Sequence, residues 1–159
     1  MQKYNFYLLL TLGLFWACNG STTKSSSDSK FSAEELKEQQ VLWDELMAVH
    51  DEVMPKISNI HKLGRQLKNY NETKQGVPEI VSKRVESTIT FLEEADESMF
   101  SWMNNLRQLK PLQDTEKHKD ILIYLRAEQE RMAKVKEVML MSLEEGSMLV
   151  QELGITNQK

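Results

Sequence analysis

Residues 121–153 read ILIYLRAEQERMAKVKEVMLMSLEEGSMLVQEL, and apolar or small residues recur in them at alternating steps of three and four. This period matches the α-helical turn and places the repeated positions on one face. Asp114 or Thr115 suits the start of the helix, and Gly154 suits its end. The stretch predicts one long helix with the buried stripe Ile121 or Leu122, Leu125, Glu128, Met132, Val135, Met139, Ser142, Gly146, Leu149 and Leu153.

An earlier stretch carries the same period and has a clear beginning. Ser32 and Glu35 match a capping box, and Phe31 stands at the position of the staple residue. We expect a helix from about Ala33 to about Asn69. Its stripe is Leu42, Leu46, Val49, Val53, Ile57, Ile60, Gly64 and Leu67.

A further helix lies between these two. It follows a run of turn-forming residues that ends at Pro78, and Pro111 is expected to stop it. Its stripe is Val81, Val85, Thr88, Leu92, Ala95, Met99, Trp102 or Met103, Leu106 and Leu109.

Pro55 interrupts the first helix. It lacks a backbone donor and its ring clashes with the carbonyl of Asp51, so we expect a kink, with a full division of the helix as the alternative. Each helix would be about 45 to 60 Å long, and short connections make neighbouring helices antiparallel. The sequence therefore predicts an all-α, elongated, antiparallel three-helix, coiled-coil-like bundle over residues 32–155.

The amino terminus has the order of a secretory signal: Lys3, an apolar run, and a small residue before Cys18. The apolar run, at about 11 residues, is shorter than the roughly 20 of a membrane-spanning helix. The sequence Leu14-Phe15-Trp16-Ala17-Cys18 resembles the lipobox of bacterial lipoproteins, in the relaxed form of the Bacteroidota. The resemblance implies that residues 1–17 are a signal peptide and that Cys18 is lipidated with acyl chains such as palmitate. A non-lipidated signal with a free cysteine is the alternative.

Residues 18–31 are rich in Ser and Thr and predict a flexible tether. Surface-exported lipoproteins of the Bacteroidota carry acidic residues just after the cysteine, whereas this tether has only Asp28. We therefore expect the chain to be anchored at the periplasmic face of the outer membrane. Cys18 is the sole cysteine, so no intrachain disulfide can form.

The charge argues against nucleic acid as a partner. The formal net charge is −4, and it becomes −5 when Lys3, the one charged residue of the signal, is removed; phosphate binding calls for a basic patch instead. The sequence has no His-Glu-x-x-His motif, Gly-rich phosphate loop, Gly-x-Ser-x-Gly turn or Glu-x-x-His pair. We expect no catalytic residues and a protein that is not an enzyme.

Soft metal ligands share one face of the first helix. Met47, His50, Met54 and His61 lie beside its core stripe together with Trp43. Thioether and imidazole ligands suit copper, and the Met99 to Met103 stretch would add more if the two faces meet. Packing is the alternative interpretation, because methionine commonly fills helical cores.

The stretch Met47 to Lys56, with Met99-Phe100-Ser101-Trp102-Met103, resembles small lipoproteins of the Bacteroidota, some of which carry the label viral A-type inclusion protein. The resemblance implies an uncharacterised family with no catalytic residues.

The long heptad-like helices favour a non-enzymatic envelope protein whose bundle binds an envelope protein partner or self-associates as a homo-oligomer. Periplasmic copper binding is the alternative function.

Overall fold

Five α-helices and no strand occur in residues 30–155, the part of the chain that the computed structural model describes. The predicted signal peptide, Cys18 and the tether up to residue 29 lie outside it. A 3₁₀ turn, Met54–Lys56, joins the first two helices. The helices are α1 (Ala33–Val53), α2 (Ile57–Thr73), α3 (Glu79–Asn105), α4 (Leu109–Thr115) and α5 (His118–Glu152).

The start of α1 confirms the predicted capping box. The Ser32 hydroxyl accepts a hydrogen bond from the backbone N–H of Glu35 at 3.1 Å, and the Glu35 carboxylate accepts one from the N–H of Ser32 at 2.8 Å. These two bonds satisfy donors that have no partner within the helix. Phe31, just before the cap, is only 7% exposed and belongs to the core. The described bundle therefore has a well-defined first turn.

At Pro55 the 3₁₀ turn Met54–Lys56 interrupts the predicted first helix. The chain tightens into the 3₁₀ turn there but stays in the right-handed helical region, with φ −104° and ψ −27° at Val53 and φ −52° and ψ −39° at Ile57. Val53 and Ile57 are buried on either side of the turn, with 0% and 7% exposure. Proline has no N–H to donate, and the local tightening accommodates its ring. The first predicted helix is thus two helices, α1 and α2, in one continuous path.

The helix before Pro111 differs from the prediction. We expected it to continue to this proline, but α3 ends at Asn105 and the chain becomes extended at Leu106, with ψ 118°. A separate short helix, α4, then contains Pro111 in its first turn, where the missing N–H costs no helical hydrogen bond. Leu109 and Leu112 of α4 are buried, with 8% and 0% exposure.

The predicted cap of the last helix is also wrong. Asp114 and Thr115 are the last two residues of α4, and α5 begins at His118 after Lys117, which makes no side-chain capping bond. The end is as expected, because Gly154 adopts φ 62°, a left-handed conformation that favours glycine.

The core lies along α5, which packs against α1, α2, α3 and α4, while α2 also packs against α3. Three long rods, α1 with α2, α3, and α5, thus form an all-α bundle, as predicted. Within the described residues, no helix has the length and apolarity needed to cross a membrane. The buried stripe of α5 is Ile121, Leu125, Glu128, Met132, Val135, Met139, Ser142, Gly146 and Leu149.

At Gly146 the α5 backbone lies close to side chains of α2 and α3. A Cβ atom there would lie 3.2 Å from Cδ1 of Leu63 on α2 and 3.3 Å from Cδ1 of Leu92 on α3. Both distances are shorter than an ordinary contact between carbon atoms. The missing side chain at position 146 therefore lets leucines from two helices pack onto the α5 backbone.

Candidate functional site

The methionine and histidine face of α1 is turned partly toward the interior. Trp43, Met47 and Met54 are half-buried and pack against the core. The His50 side chain is only 15% exposed. Across from them, Trp102 of α3 is 6% exposed, and Met103 next to it also packs against the core. The methionine and histidine face of α1 therefore meets the Trp102 and Met103 face of α3.

His50 is held by two contacts. Its ring centroid lies 5.7 Å from that of Trp102 with a tilt of 32° between the planes. Its Nδ1 lies 2.8 Å from Oδ1 of Asp51. An ionised carboxylate can only accept, so Nδ1 carries the proton in this pair and Nε2 of a neutral ring keeps its lone pair. Among the described residues, Nε2 has no hydrogen-bond partner.

Trp102 is fixed from its other side by α5. Its Nε1–H donates a hydrogen bond to Oε2 of Glu128 at 3.1 Å. Glu128 is only 4% exposed, and its second carboxylate oxygen accepts from the guanidinium of Arg131. A buried carboxylate needs such partners because desolvation disfavours its charge. The indole plane is therefore held in place by a satisfied buried acid.

A cleft of about 500 Å³ opens beside this pair between α3 and α5. Tyr124 lines it, and its hydroxyl accepts a hydrogen bond from the backbone N–H of Arg107 at 2.8 Å. The Arg107 guanidinium lies 5.8 Å from the centre of the Tyr124 ring. Burial raises the pKa of Tyr124 above its usual value of 10.0. These contacts tie the segment between α3 and α4 to α5.

His61 does not join the His50 cluster. Its Nε2 lies 3.0 Å from Oδ2 of Asp96 on α3, and its side chain is 45% exposed. It is also eleven residues beyond His50, about 16 Å along a helix. Residues 30–155 hold no group of three or more His, Cys, Asp or Glu side chains able to bind a metal ion. Of the four predicted metal ligands, His50 contacts Trp102, and Met47 and Met54 lie on the same face of the helical path as His50 by their spacing.

A second polar cluster was not anticipated from the sequence. Gln39 of α1 is fully buried, and its Oε1 accepts a hydrogen bond from the Gln113 side chain of α4 at 3.0 Å. Its amide nitrogen lies 3.0 Å from Nδ1 of His118, whose Nε2 lies 3.3 Å from a carboxylate oxygen of Glu38. Heptad spacing could have indicated this cluster, because Gln39 stands seven residues before buried Leu46 and so occupies a core position.

The outer face of α5 carries large apolar side chains. Leu140, Met141 and Met148 are 38%, 53% and 48% exposed. Met141 and Met148 are seven residues apart and lie on the same line along the helix, about 10 Å from each other. Glu137 and Glu144 are exposed neighbours on this side. The chain thus presents an apolar strip outside the core, which we call the α5 strip (Leu140, Met141 and Met148).

In comparisons with known proteins, no protein family, no curated protein and no solved structure matches this chain.

Proposed function

We propose that this chain is a non-enzymatic, lipid-anchored cell-envelope protein whose helical bundle self-associates through the α5 strip. The exposure of Leu140, Met141 and Met148 within nine residues carries this proposal. Single exposed apolar residues are common on protein surfaces, whereas contiguous ones mark contact surfaces.

A second copy of the chain suits the strip for two reasons. The α5 helix is regular over 35 residues, so two copies can lie side by side along a long contact. Acidic Glu137 and Glu144 accompany the strip, while Lys134 lies one heptad before Met141. Both signs of charge are therefore present at the edge of a helix-to-helix contact.

The proposed lipid anchor would promote self-association even if the contact between two copies is weak. Acyl chains on Cys18 would hold the chain at a membrane, because two or more chains bind far more firmly than one. Confinement to a surface raises the effective concentration of each copy for the next. A strip of three side chains is then enough for contact at the membrane, even where the isolated chain associates only weakly.

The anchor is tested by intact mass and membrane fractionation of the full chain beside Cys18→Ala. We expect acyl mass and outer-membrane fractionation for the wild type alone. A wild-type chain that carries no acyl group and fractionates with the variant would contradict the anchor.

Self-association is tested by sedimentation of the full chain in mild detergent. We expect dimers or larger species for the wild type and monomers for Met141→Glu/Met148→Glu. Ile80→Glu is the matched control, because Ile80 is an exposed apolar residue, 77% accessible, that lies on α3 and does not belong to the strip. Oligomers that survive in the double variant would place the contact elsewhere. If the wild type is monomeric and captures an envelope protein that the double variant does not capture, the strip binds that protein and not a second copy of the chain.

A further inference from the structure

We infer that Met47, His50 and Met54 bind a single Cu(I) ion against the face of Trp102. This inference is independent of self-association, since none of these residues belongs to the α5 strip.

The first support is the arrangement of the donors. Met47 precedes His50 by three residues and Met54 follows it by four, so the thioethers lie one turn to either side of the imidazole. Both methionines are half-buried and pack against the core. Methionine side chains have three rotatable bonds and adapt easily, which allows both sulfurs to turn toward the imidazole.

The second support is the state of the imidazole. The bond from Nδ1 to the Asp51 carboxylate, 2.8 Å long, directs the other nitrogen away from Asp51. Histidines that bind metals commonly hold a carboxylate or carbonyl with one nitrogen in this way, which fixes the ring and makes the other nitrogen a better ligand. Nε2 is that other nitrogen, and it makes no hydrogen bond to any residue of the described range.

The third support is the fixed indole. Trp102 lies against His50 with the ring planes tilted by 32°, and its Nε1–H is engaged by Glu128 at 3.1 Å, so the polar edge of the indole is already occupied. A cation near the face of a tryptophan is stabilised by the ring quadrupole. Helical periodicity alone leaves Trp102 and Met103 as alternatives for this position.

The donor set selects the metal. Two thioethers and one imidazole are soft to intermediate ligands that favour Cu(I), whereas Ca²⁺ and Mg²⁺ require oxygen ligands. The Asp51 carboxylate next to His50 is engaged by Nδ1 of that histidine. Because His61 pairs with Asp96 on α3, the site has three protein ligands rather than the four that the sequence suggested.

The test is anaerobic titration of the full chain with Cu(I) in competition with a chromogenic Cu(I) chelator. All variants carry Cys18→Ser, because Cys18 is the sole thiol and binds Cu(I) itself. We expect one equivalent of Cu(I) and quenching of tryptophan fluorescence. Met47→Leu/Met54→Leu conserves the packing volume and should weaken binding at least about tenfold. His50→Gln should do the same.

Two controls separate this site from adventitious binding. Met141→Leu/Met148→Leu removes two exposed thioethers, and His61→Gln removes the other nearby imidazole. Both should bind Cu(I) as the parent chain does. Trp102→Phe should abolish most of the fluorescence quenching. The inference is overturned if the parent chain binds no Cu(I), or if Met47→Leu/Met54→Leu binds as tightly as the parent while a circular dichroism melt shows both folded.

Discussion

The indole N–H of Trp102 and the carboxylate of Glu128 are joined by a buried hydrogen bond of 3.1 Å between α3 and α5. Glu128 occupies a core position of the α5 stripe, where the neighbouring stripe residues are apolar. A polar pair at this depth restricts which part of α3 can lie beside which part of α5, because a shift along the helices would leave the indole N–H buried without an acceptor and would take one donor from Glu128.

Breaking this pair should destabilise the bundle. Trp102→Phe keeps the six-membered ring but removes the five-membered ring with its N–H, and we expect the lost bond to cost about 1–3 kcal/mol in the free energy of unfolding, with a further cost for the space that the smaller side chain leaves. Urea denaturation followed by circular dichroism measures it. In Trp102→Phe/Glu128→Met the combined loss should be smaller than the sum of the losses in the two single variants, because each substitution removes the same bond. Strict additivity would show that the bond contributes nothing.

The two helical glycines should respond differently to alanine. Gly64→Ala meets no atom within 4 Å, so it should stabilise the protein by about 0.5–1 kcal/mol through helix propensity. Gly146→Ala places its Cβ 3.2 Å from Leu63 and must displace leucine methyls, which offsets that gain. Gly146→Leu should cost about 2 kcal/mol or more. Thermal melts of the three variants compare them, and equal stabilisation by both alanines would contradict the close approach at Gly146.

Stability should fall at high pH because of Tyr124. Burial raises its pKa above 10.0, so the folded state favours the neutral phenol. The unfolded chain loses this proton near pH 10.0, and the folded chain loses it only at higher pH. The contribution of Tyr124 is therefore fully present below pH 10.0 and is lost as the pH rises through the folded pKa.

Tyrosinate absorbance tests this directly. Relative to the wild type, Tyr124→Phe should lose the component that titrates last in the folded protein. Tyr70→Phe is the matched control and should keep that component. If the latest component persists in Tyr124→Phe, the raised pKa belongs to another tyrosine.

The polar cluster between α1, α4 and α5 can be tested by substituting Gln39, with the neighbouring Gln40 as the control position. Gln39→Leu removes the buried acceptor of Gln113 and the neighbour of His118, and should cost about 1–3 kcal/mol. Gln40 is exposed and bonds only to Asp44 on its own helix, so Gln40→Leu should change stability by less than about 0.5 kcal/mol. Urea denaturation of both variants distinguishes them, and equal effects would mean that the cluster does not hold α4 in place.

Much of the fold followed from periodicity, because helical packing repeats along the chain. The stripes of α3 and α5 were predicted almost residue by residue. The short helix α4 was missed because Pro111 was interpreted as a stop, although a proline in a first turn is equally compatible with a start. The cap before α5 gave no signal, since Lys117 has no side-chain group that accepts a bond from the helix start.

The candidate site was only partly predictable. Helical spacing alone placed Met47, His50 and Met54 on one face. It also placed His61 there, because constant rotation was assumed through Pro55. The three residues of the 3₁₀ turn each advance about 120° instead of 100°, which rotates everything after it by about 60°. His61 consequently faces Asp96. No local pattern shows that Trp102 lies against His50, because their contact joins distant parts of the chain.

The packing of α5 against all four other helices has a consequence for how the chain is made. Gln129 of α5 donates to the backbone carbonyl of Leu42, 87 residues earlier, so the beginning and the end of the bundle are built against each other. Until α5 has been synthesised, the apolar stripe of α1 lacks its main partner and those of α2 and α3 can cover only each other, and contacts this distant in sequence form late. Folding is therefore postponed until the chain is nearly complete, and a premature stop codon before His118 would release a polypeptide exposed to proteases rather than a smaller folded protein.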